Sequence, residues 1–153
     1  MTISISEVAA DSAEAITLIG ELDDHLMGHP YPPQSRHAFS VEKLLREQVV
    51  FFVTHYEGEL AGCGGIKIFD ADYGEVKRMY VRPAFRGKGL GKAMLGRLAD
   101  YARAKELAIL RLETGIYEVE AIGLYQGWGF ERRAPFGEYV EDPMSVYLEK
   151  RIA

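Results

Sequence analysis

The stretch Arg86-Gly87-Lys88-Gly89-Leu90-Gly91-Lys92 constrains this chain more than any other. Glycine recurs at every second position, interleaved with cations, between a strand-like run, GEVKRMYV, and a helix-like one, AMLGRLADYARA. Glycine tolerates φ values that other residues avoid and puts no Cβ between its backbone and a neighbour, so the N–H groups of such a run can converge on one point. A helix that begins there adds its own unpaired N–H groups and the positive end of its dipole. With Arg86, Lys88 and Lys92 supplying formal charge, the run is expected to hold an anion, and a diphosphate is the natural occupant. Two familiar phosphate loops do not fit. A Walker A loop has four residues between its glycines and a hydroxyl after its lysine, whereas three separate Gly87 from Gly91 and Ala93 follows Lys92. The dinucleotide fingerprint needs glycine where Lys92 stands, and it belongs on the first strand of a βαβ unit. A glycine-rich turn carrying solvated cations is the structural alternative.

The remaining sequence supplies elements on both sides of that junction. ISISEV alternates and predicts a short strand. Asp11, with Glu14 three residues on, reads as the N-cap of a helix running to Met27, which the segment Gly28-His29-Pro30-Tyr31-Pro32-Pro33 stops. Ser40 to Glu47 reads as a second short helix. VVFFVTHY and ELAGCGGIKIF are strands joined by a hairpin at Glu57-Gly58, and GEVKRMYV is a third. Strict alternation would put Glu75, Lys77, Met79 and Val81 on one face and Val76, Arg78 and Tyr80 on the other. Leu90, Met94, Leu98 and Ala102 form a helical stripe. AILRLET predicts a strand, and Glu118 to Trp128 a helix with Ala121, Ile122 and Tyr125 inward. Phe130–Arg133 and Ser145–Lys150 would be the last strands, around the loop APFGEYVEDPM. The order β-α-α-β-β-β-α-β-α-β-β predicts a mixed α/β (α+β) fold, with helices on a largely antiparallel sheet.

At 153 residues, with 48% of them apolar or aromatic, the chain suits one domain, 1–153, built around an ordinary core. A net charge of −5 argues against a phosphate-backbone binder, so no nucleic-acid partner is expected. Cys63 is the only cysteine, which excludes an intrachain disulfide and suits a reducing compartment. The N-terminal residues do not read as a secretory signal and no window approaches a membrane span. The expectation is a cytoplasmic protein without a membrane partner.

Arg-Gly-x-Gly-x-Gly at the start of a central helix, after a strand ending Met79-Tyr80-Val81-Arg82-Pro83 and before Leu124-Tyr125-x-x-x-Gly129-Phe130, resembles the GNAT superfamily of acetyltransferases. The resemblance extends over the whole chain. ETGIYxxEAIxLY with PFGEYxxDP is also similar to a group of small bacterial members. The resemblance implies acetyl-coenzyme A as co-substrate, its pyrophosphate on the amides of Arg86, Gly87, Lys88, Gly89, Leu90, Gly91 and Lys92. It further implies that the preceding strand bulges near Met79 and Tyr80, so that freed amides there and at Val81 bind pantetheine and the acetyl carbonyl. Many relatives carry an asparagine seven residues before the tyrosine of the second motif, where it bonds the pantetheine arm. Here Glu118 stands at that place, so the contact must be lost or reversed.

The implied chemistry sets its own requirements. A lysine-like amine has a pKa near 10.4 and must lose a proton before it attacks a thioester. Glu75, four residues before Met79 and on the same face by strict alternation, is the candidate base; a strand-end glutamate paired with a cation is the alternative. The tetrahedral intermediate needs an oxyanion donor, for which the resemblance offers the Met79 N–H. The departing thiolate can take a proton from Tyr125, which is otherwise a core aromatic. In the segment Tyr31 to His37, where relatives build part of the acceptor pocket, Tyr31 and Arg36 are candidate substrate contacts, Arg36 by gripping a carboxylate. Tyr139 and Asp142 are candidates from the last loop.

Two other features point elsewhere. His25 and His29 have i, i+4 spacing, yet Gly28-His29-Pro30 breaks the helix, no glutamate follows His25 and no third ligand is evident, so no metal is expected. Cys63 reads as core and not as an acyl carrier. The reading is therefore an N-acetyltransferase acting on the primary amine of a small molecule by direct transfer in a ternary complex. Alternatives are acetylation of a peptide N-terminus or lysine, and a non-catalytic coenzyme A sensor. A homodimer, common among relatives, comes by analogy alone.

Overall fold

A computed structural model of the chain describes residues 2–36 and 39–153. Strand β1 (Ile3–Val8) leads into α1 (Ala13–Met27) and α2 (Val41–Arg46); β2 (Val50–Tyr56), β3 (Glu59–Phe69) and β4 (Tyr73–Val81) follow. The central helix α3 (Leu90–Ala104), β5 (Ile109–Gly115), α4 (Val119–Gly127), β6 (Glu131–Arg133) and β7 (Ser145–Arg151) complete the chain. This is the expected order. Two short 3₁₀ turns, Pro33–Ser35 and Pro83–Phe85, join it where proline fixes the first φ.

Seven strands form one sheet in the order β1-β2-β3-β4-β5-β7-β6, antiparallel at every junction except β4–β5. The β2–β3 hairpin turns at Glu57 (φ 51°) and Gly58 (φ 82°), both left-handed as a two-residue turn requires. One face of the sheet packs on α3 through Phe52, Ile66, Val76 and the stripe Met94, Leu98 and Ala102. The other packs on α1 and α2 through Leu18, Leu44, Phe51 and Val53. Consecutive residues of β2 thus serve opposite cores, as the two-residue period of a strand dictates. Among the described residues no helix is long and apolar enough to cross a membrane.

Helix α1 is capped by Ser12, not Asp11: the Ser12 side chain accepts the Ala15 N–H at 3.2 Å. Both residues can cap, and the chain uses the one that leaves Asp11 in the preceding turn. Ser12→Ala is expected to cost about 1 kcal/mol, read as a shift of the urea midpoint at unchanged slope.

Strict alternation fails in β4, and this decides the shape of the site. Lys77 pairs with Gly65 and Tyr80 with Cys63, so Arg78 and Met79 together oppose Gly64 alone. The extra residue is a β-bulge with Arg78 at φ 55°, a value that non-glycine residues seldom adopt. Beyond it the faces exchange. Val76 and Met79 both pack toward α3, whereas Lys77, Arg78 and Tyr80 turn toward α1 and α2. Gly64 is required across from the bulge, because a Cβ there would lie 2.8 Å from both Met79 Sδ and Met94 Cγ.

Candidate active site

Parallel pairing between β4 and β5 is limited to Gly74–Leu110 and Glu75–Arg111. Past Glu75 the strands diverge, leaving the β5-facing edge of β4 without a strand partner. The gap opens into a cleft of about 830 Å³, within the usual range for small-molecule sites. Every residue given a site role from sequence lines it except Lys88, Leu90 and Asp142. Lys88 Nζ lies instead over the Tyr56 ring at 5.3 Å, and the Leu90 side chain is buried against Tyr56 and Ala61.

The glycine run closes one end of the cleft. Gly87 (φ 79°) and Gly89 (φ 82°) are left-handed, and Gly89 caps α3 with no side-chain partner. The amides of Leu90, Gly91 and Lys92 have no helical acceptor by position. Gly91 plays a different part from its neighbours: it is helical, and a Cβ on it would come 2.7 Å from Leu124 of α4. It brings α3 against α4. Arg86 is oriented by its Nε–H, which donates to the Val81 carbonyl at 2.9 Å.

The inner wall carries the ionisable groups. Glu75 is 2% exposed, and its Oε2 lies 2.8 Å from Lys77 Nζ and accepts the Tyr139 hydroxyl at 2.6 Å. Lys77 also donates to Tyr139 Oη at 3.2 Å and sits 3.9 Å from the centre of the Phe39 ring. Burial pulls the Lys77 ammonium down, opposed by its attraction to Glu75. The argument that set Glu75 beside Met79 therefore fails, because the bulge turns Met79 to the opposite face and Glu75 has a cation and a phenol as partners. Tyr139 is a half-buried member of this cluster, with its phenol pushed up by desolvation first and by Glu75 second.

A second carboxyl in the cleft escaped the sequence reading. Glu113, on β5 beyond the last β4–β5 pair, accepts the Ser145 hydroxyl at 2.8 Å, and desolvation raises its pKa to about 7, opposed by that bond and by Lys77. Its neighbours come from β7 and β4, so nothing local in AILRLETG marks it out. Tyr125 of α4 is 6% exposed, and its hydroxyl makes no hydrogen bond among the described residues. Burial holds that phenol protonated far above neutrality.

Three expected contacts are spent otherwise. Arg36 donates from Nη1 to the Leu26 carbonyl at 3.1 Å and from Nη2 to the His29 carbonyl at 2.9 Å. Its fork thus serves the C-terminal end of α1 and not a substrate carboxylate. The Tyr31 hydroxyl donates to Glu118 Oε2 at 2.7 Å and accepts the Tyr117 N–H at 2.9 Å. Glu118, placed by analogy on the pantetheine arm, directs its carboxylate to Tyr31 and His25. His37 lies outside the described residues. Cys63 is core, its thiol pushed up to about 12 by burial, which suits no acyl carrier.

The model of the acetyltransferase (GNAT) family matches residues 16–130. The chain belongs to that family. This acetyltransferase is 44% identical over 136 residues to IAA acetyltransferase of Azospirillum brasilense, covering 88% of each chain. It is 35% identical over 141 residues to the uncharacterized Bacillus subtilis N-acetyltransferase YsnE, covering 91% of this chain and 93% of that one. A crystal structure of a Klebsiella pneumoniae protein classed as an acyl-CoA N-acyltransferase superposes with a TM-score of 0.83 at 35% identity, covering 99% of both chains. PaiA N-acetyltransferase of Thermoplasma acidophilum, solved with coenzyme A, shares the fold at 22% identity and a TM-score of 0.78, over 99% of each chain. The fold class read from the sequence is therefore that of the acetyltransferase.

Proposed function

We propose that this acetyltransferase moves the acetyl group of acetyl-coenzyme A to the primary amine of a small molecule, with both substrates bound at once. The observation that carries the proposal is the early parting of β4 and β5, which leaves one continuous cleft between an anion-ready loop and a wall bearing Glu113 and Tyr125. The residues suit an acyl-thioester nucleotide. Gly87 and Gly89 take the left-handed φ of such a cradle, the first amides of α3 have no helical acceptor by position, and Arg86 and Lys92 add positive charge. The unpaired edge of β4 from Met79 through Val81 would accept the pantetheine arm, and the Met79 N–H is the candidate donor to the oxyanion.

In this reading Glu113, not Glu75, receives the amine proton. A carboxyl with a pKa of about 7 is half ionised at neutral pH, which balances availability against basicity. The amine nitrogen attacks the thioester carbonyl, its proton passes to Glu113, the C–N bond forms and the C–S bond breaks. The sulfur leaves as thiolate and takes the Tyr125 proton. Glu75 positions Lys77 and Tyr139 on the acceptor side of the wall. Tyr31 shapes the same side, and a small acceptor accords with the name of the Azospirillum relative.

A panel of amino acids, polyamines, aminoglycosides and short peptides, with free thiol and product mass both recorded, tests the proposal. Acetylation of a small amine is the expected result. Tight coenzyme binding with no thiol released by any amine would mark a sensor instead. Tyr125→Phe is expected to bind coenzyme A normally and to lower kcat about 10²-fold, the modest end for an acid, because a thiolate is already a good leaving group. Unchanged turnover would remove the phenol from the mechanism.

A further inference from the structure

Two imidazoles and a carboxylate meet at the mouth of the cleft, and the transfer reaction uses none of them. His25, in the last turn of α1, and His29, just past its Gly28 cap, both turn Nε2 toward Glu118 at the start of α4. His25 Nε2 lies 2.8 Å from Oε1, and His29 Nε2 lies 3.8 Å from Oε2. All three ligand atoms fall within 4.8 Å of one another. The first pair is a hydrogen bond. The second is too long for one, which leaves a ring nitrogen aimed at the carboxylate without binding it. The sequence reading found no third ligand because Glu118 stands 93 residues from His25.

The carboxylate is fixed from behind. Tyr31 donates to Glu118 Oε2, is itself held by the Tyr117 N–H, and is kept protonated by burial and by Glu118. Gly115 makes room for this, since a Cβ there would lie 2.0 Å from Tyr31 Oη. The Tyr117 ring stacks on His29 with centroids 5.7 Å apart and planes 13° from parallel. Supports of this kind orient metal ligands from the second layer. The imidazoles themselves, with side chains 40% and 32% exposed, are free to make small adjustments.

We propose that His25, His29 and Glu118 form a binding site for a divalent transition-metal ion, zinc foremost, at the mouth of the cleft. Zinc holds nitrogen and oxygen ligands at about 2.0–2.2 Å, which sets neighbouring ligand atoms about 3.3 Å apart in a tetrahedron. The three ligand atoms, within 4.8 Å of one another, would draw together by small side-chain movements to reach that separation. Two imidazoles and one carboxylate suit zinc or cobalt, whereas calcium and magnesium demand oxygen alone. The ion would bolt the end of α1 to the start of α4. With three protein ligands, a remaining position would be left to water.

The test uses the untagged full chain, stripped with a chelator and titrated with zinc by calorimetry and with cobalt by visible absorbance. The expected result is one ion per chain, cobalt bands of a low-coordinate site, and a rise in Tm with zinc. His25→Ala and Glu118→Gln should each weaken binding by at least about 10- to 100-fold, the loss that removal of a mere outer partner of a ligand already causes. His55→Ala, which removes the separate His55–Glu14 contact of 2.7 Å, should leave it unchanged. Circular dichroism of each variant separates loss of ligand from loss of fold. Absence of saturable zinc heat and of cobalt bands overturns the site, as does binding that survives either ligand substitution in a folded variant. The readout is the metal alone, so it is independent of the transfer reaction.

Discussion

Replacing Glu113 with glutamine is expected to flatten the acid limb of the pH–rate profile and to lower kcat/KM about 10³-fold near pH 8. In the parent protein, kcat/KM should rise with pH and level off above about 7, where Glu113 has lost its proton. Glutamine can still accept the Ser145 hydroxyl, so the variant keeps a local bond and loses the base. Stability gives a second readout. The folded chain holds the Glu113 proton up to about pH 7, whereas an unfolded carboxyl with the ordinary value of 4.5 has already released it. Between those values the native state binds more protons, so this group makes stability fall as pH rises. Glu113→Gln escapes the loss. It should match the parent in stability near pH 4 and exceed it near pH 8, by on the order of 3 kcal/mol at most. Glu75→Gln is the discriminating control, because it removes the charge facing Lys77 and leaves the Glu113 carboxyl in place, lowering its pKa only by the loss of the Glu75 charge. If that variant, and not Glu113→Gln, loses the pH dependence, the base has been assigned to the wrong carboxylate.

The two carboxylates also mark where a sequence stops being legible. Local periodicity sufficed for the elements: the stripe Leu90, Met94, Leu98 and Ala102 is at most 1% exposed, and the Glu57-Gly58 turn lies where its residues demand it. The two-motif pattern sufficed to point to the cleft, since residues of the glycine run and Tyr125 both line it. The bulge was legible only through the resemblance, which implies it near Met79 and Tyr80; Arg78 at φ 55° carries no mark of its own in EVKRMYV, so strict alternation misplaced Met79. A single inserted residue then reversed every side chain after it, which is why Glu75 and Met79 do not share a face. Glu113 and the His25–His29–Glu118 cluster were hidden for a related reason. Each takes its character from partners on other elements, and spacing along one element says nothing about them.

Gly89→Val is expected to lower affinity for coenzyme A about 100-fold while leaving the fold intact. The cause is the backbone and not crowding within the protein, for a Cβ at Gly89 meets no atom within 4 Å. Its φ of 82° is what a β-branched residue resists, at a cost of about 1–3 kcal/mol. The exposed loop relieves that strain by moving Gly89 toward negative φ, which swings the first amides of α3 away from a shared focus. An anion cradle depends on that convergence, and about 3 kcal/mol lost from binding corresponds to about 100-fold. Gly91→Val should behave oppositely. Helical φ suits valine there, but its Cβ would press on Leu124 at 2.7 Å and wedge α3 from α4, so the melting temperature should fall first. Calorimetric titration with coenzyme A, beside thermal melts of both variants, separates the two effects. Should Gly89→Val bind within threefold of the parent, the amides of this loop do not hold the diphosphate.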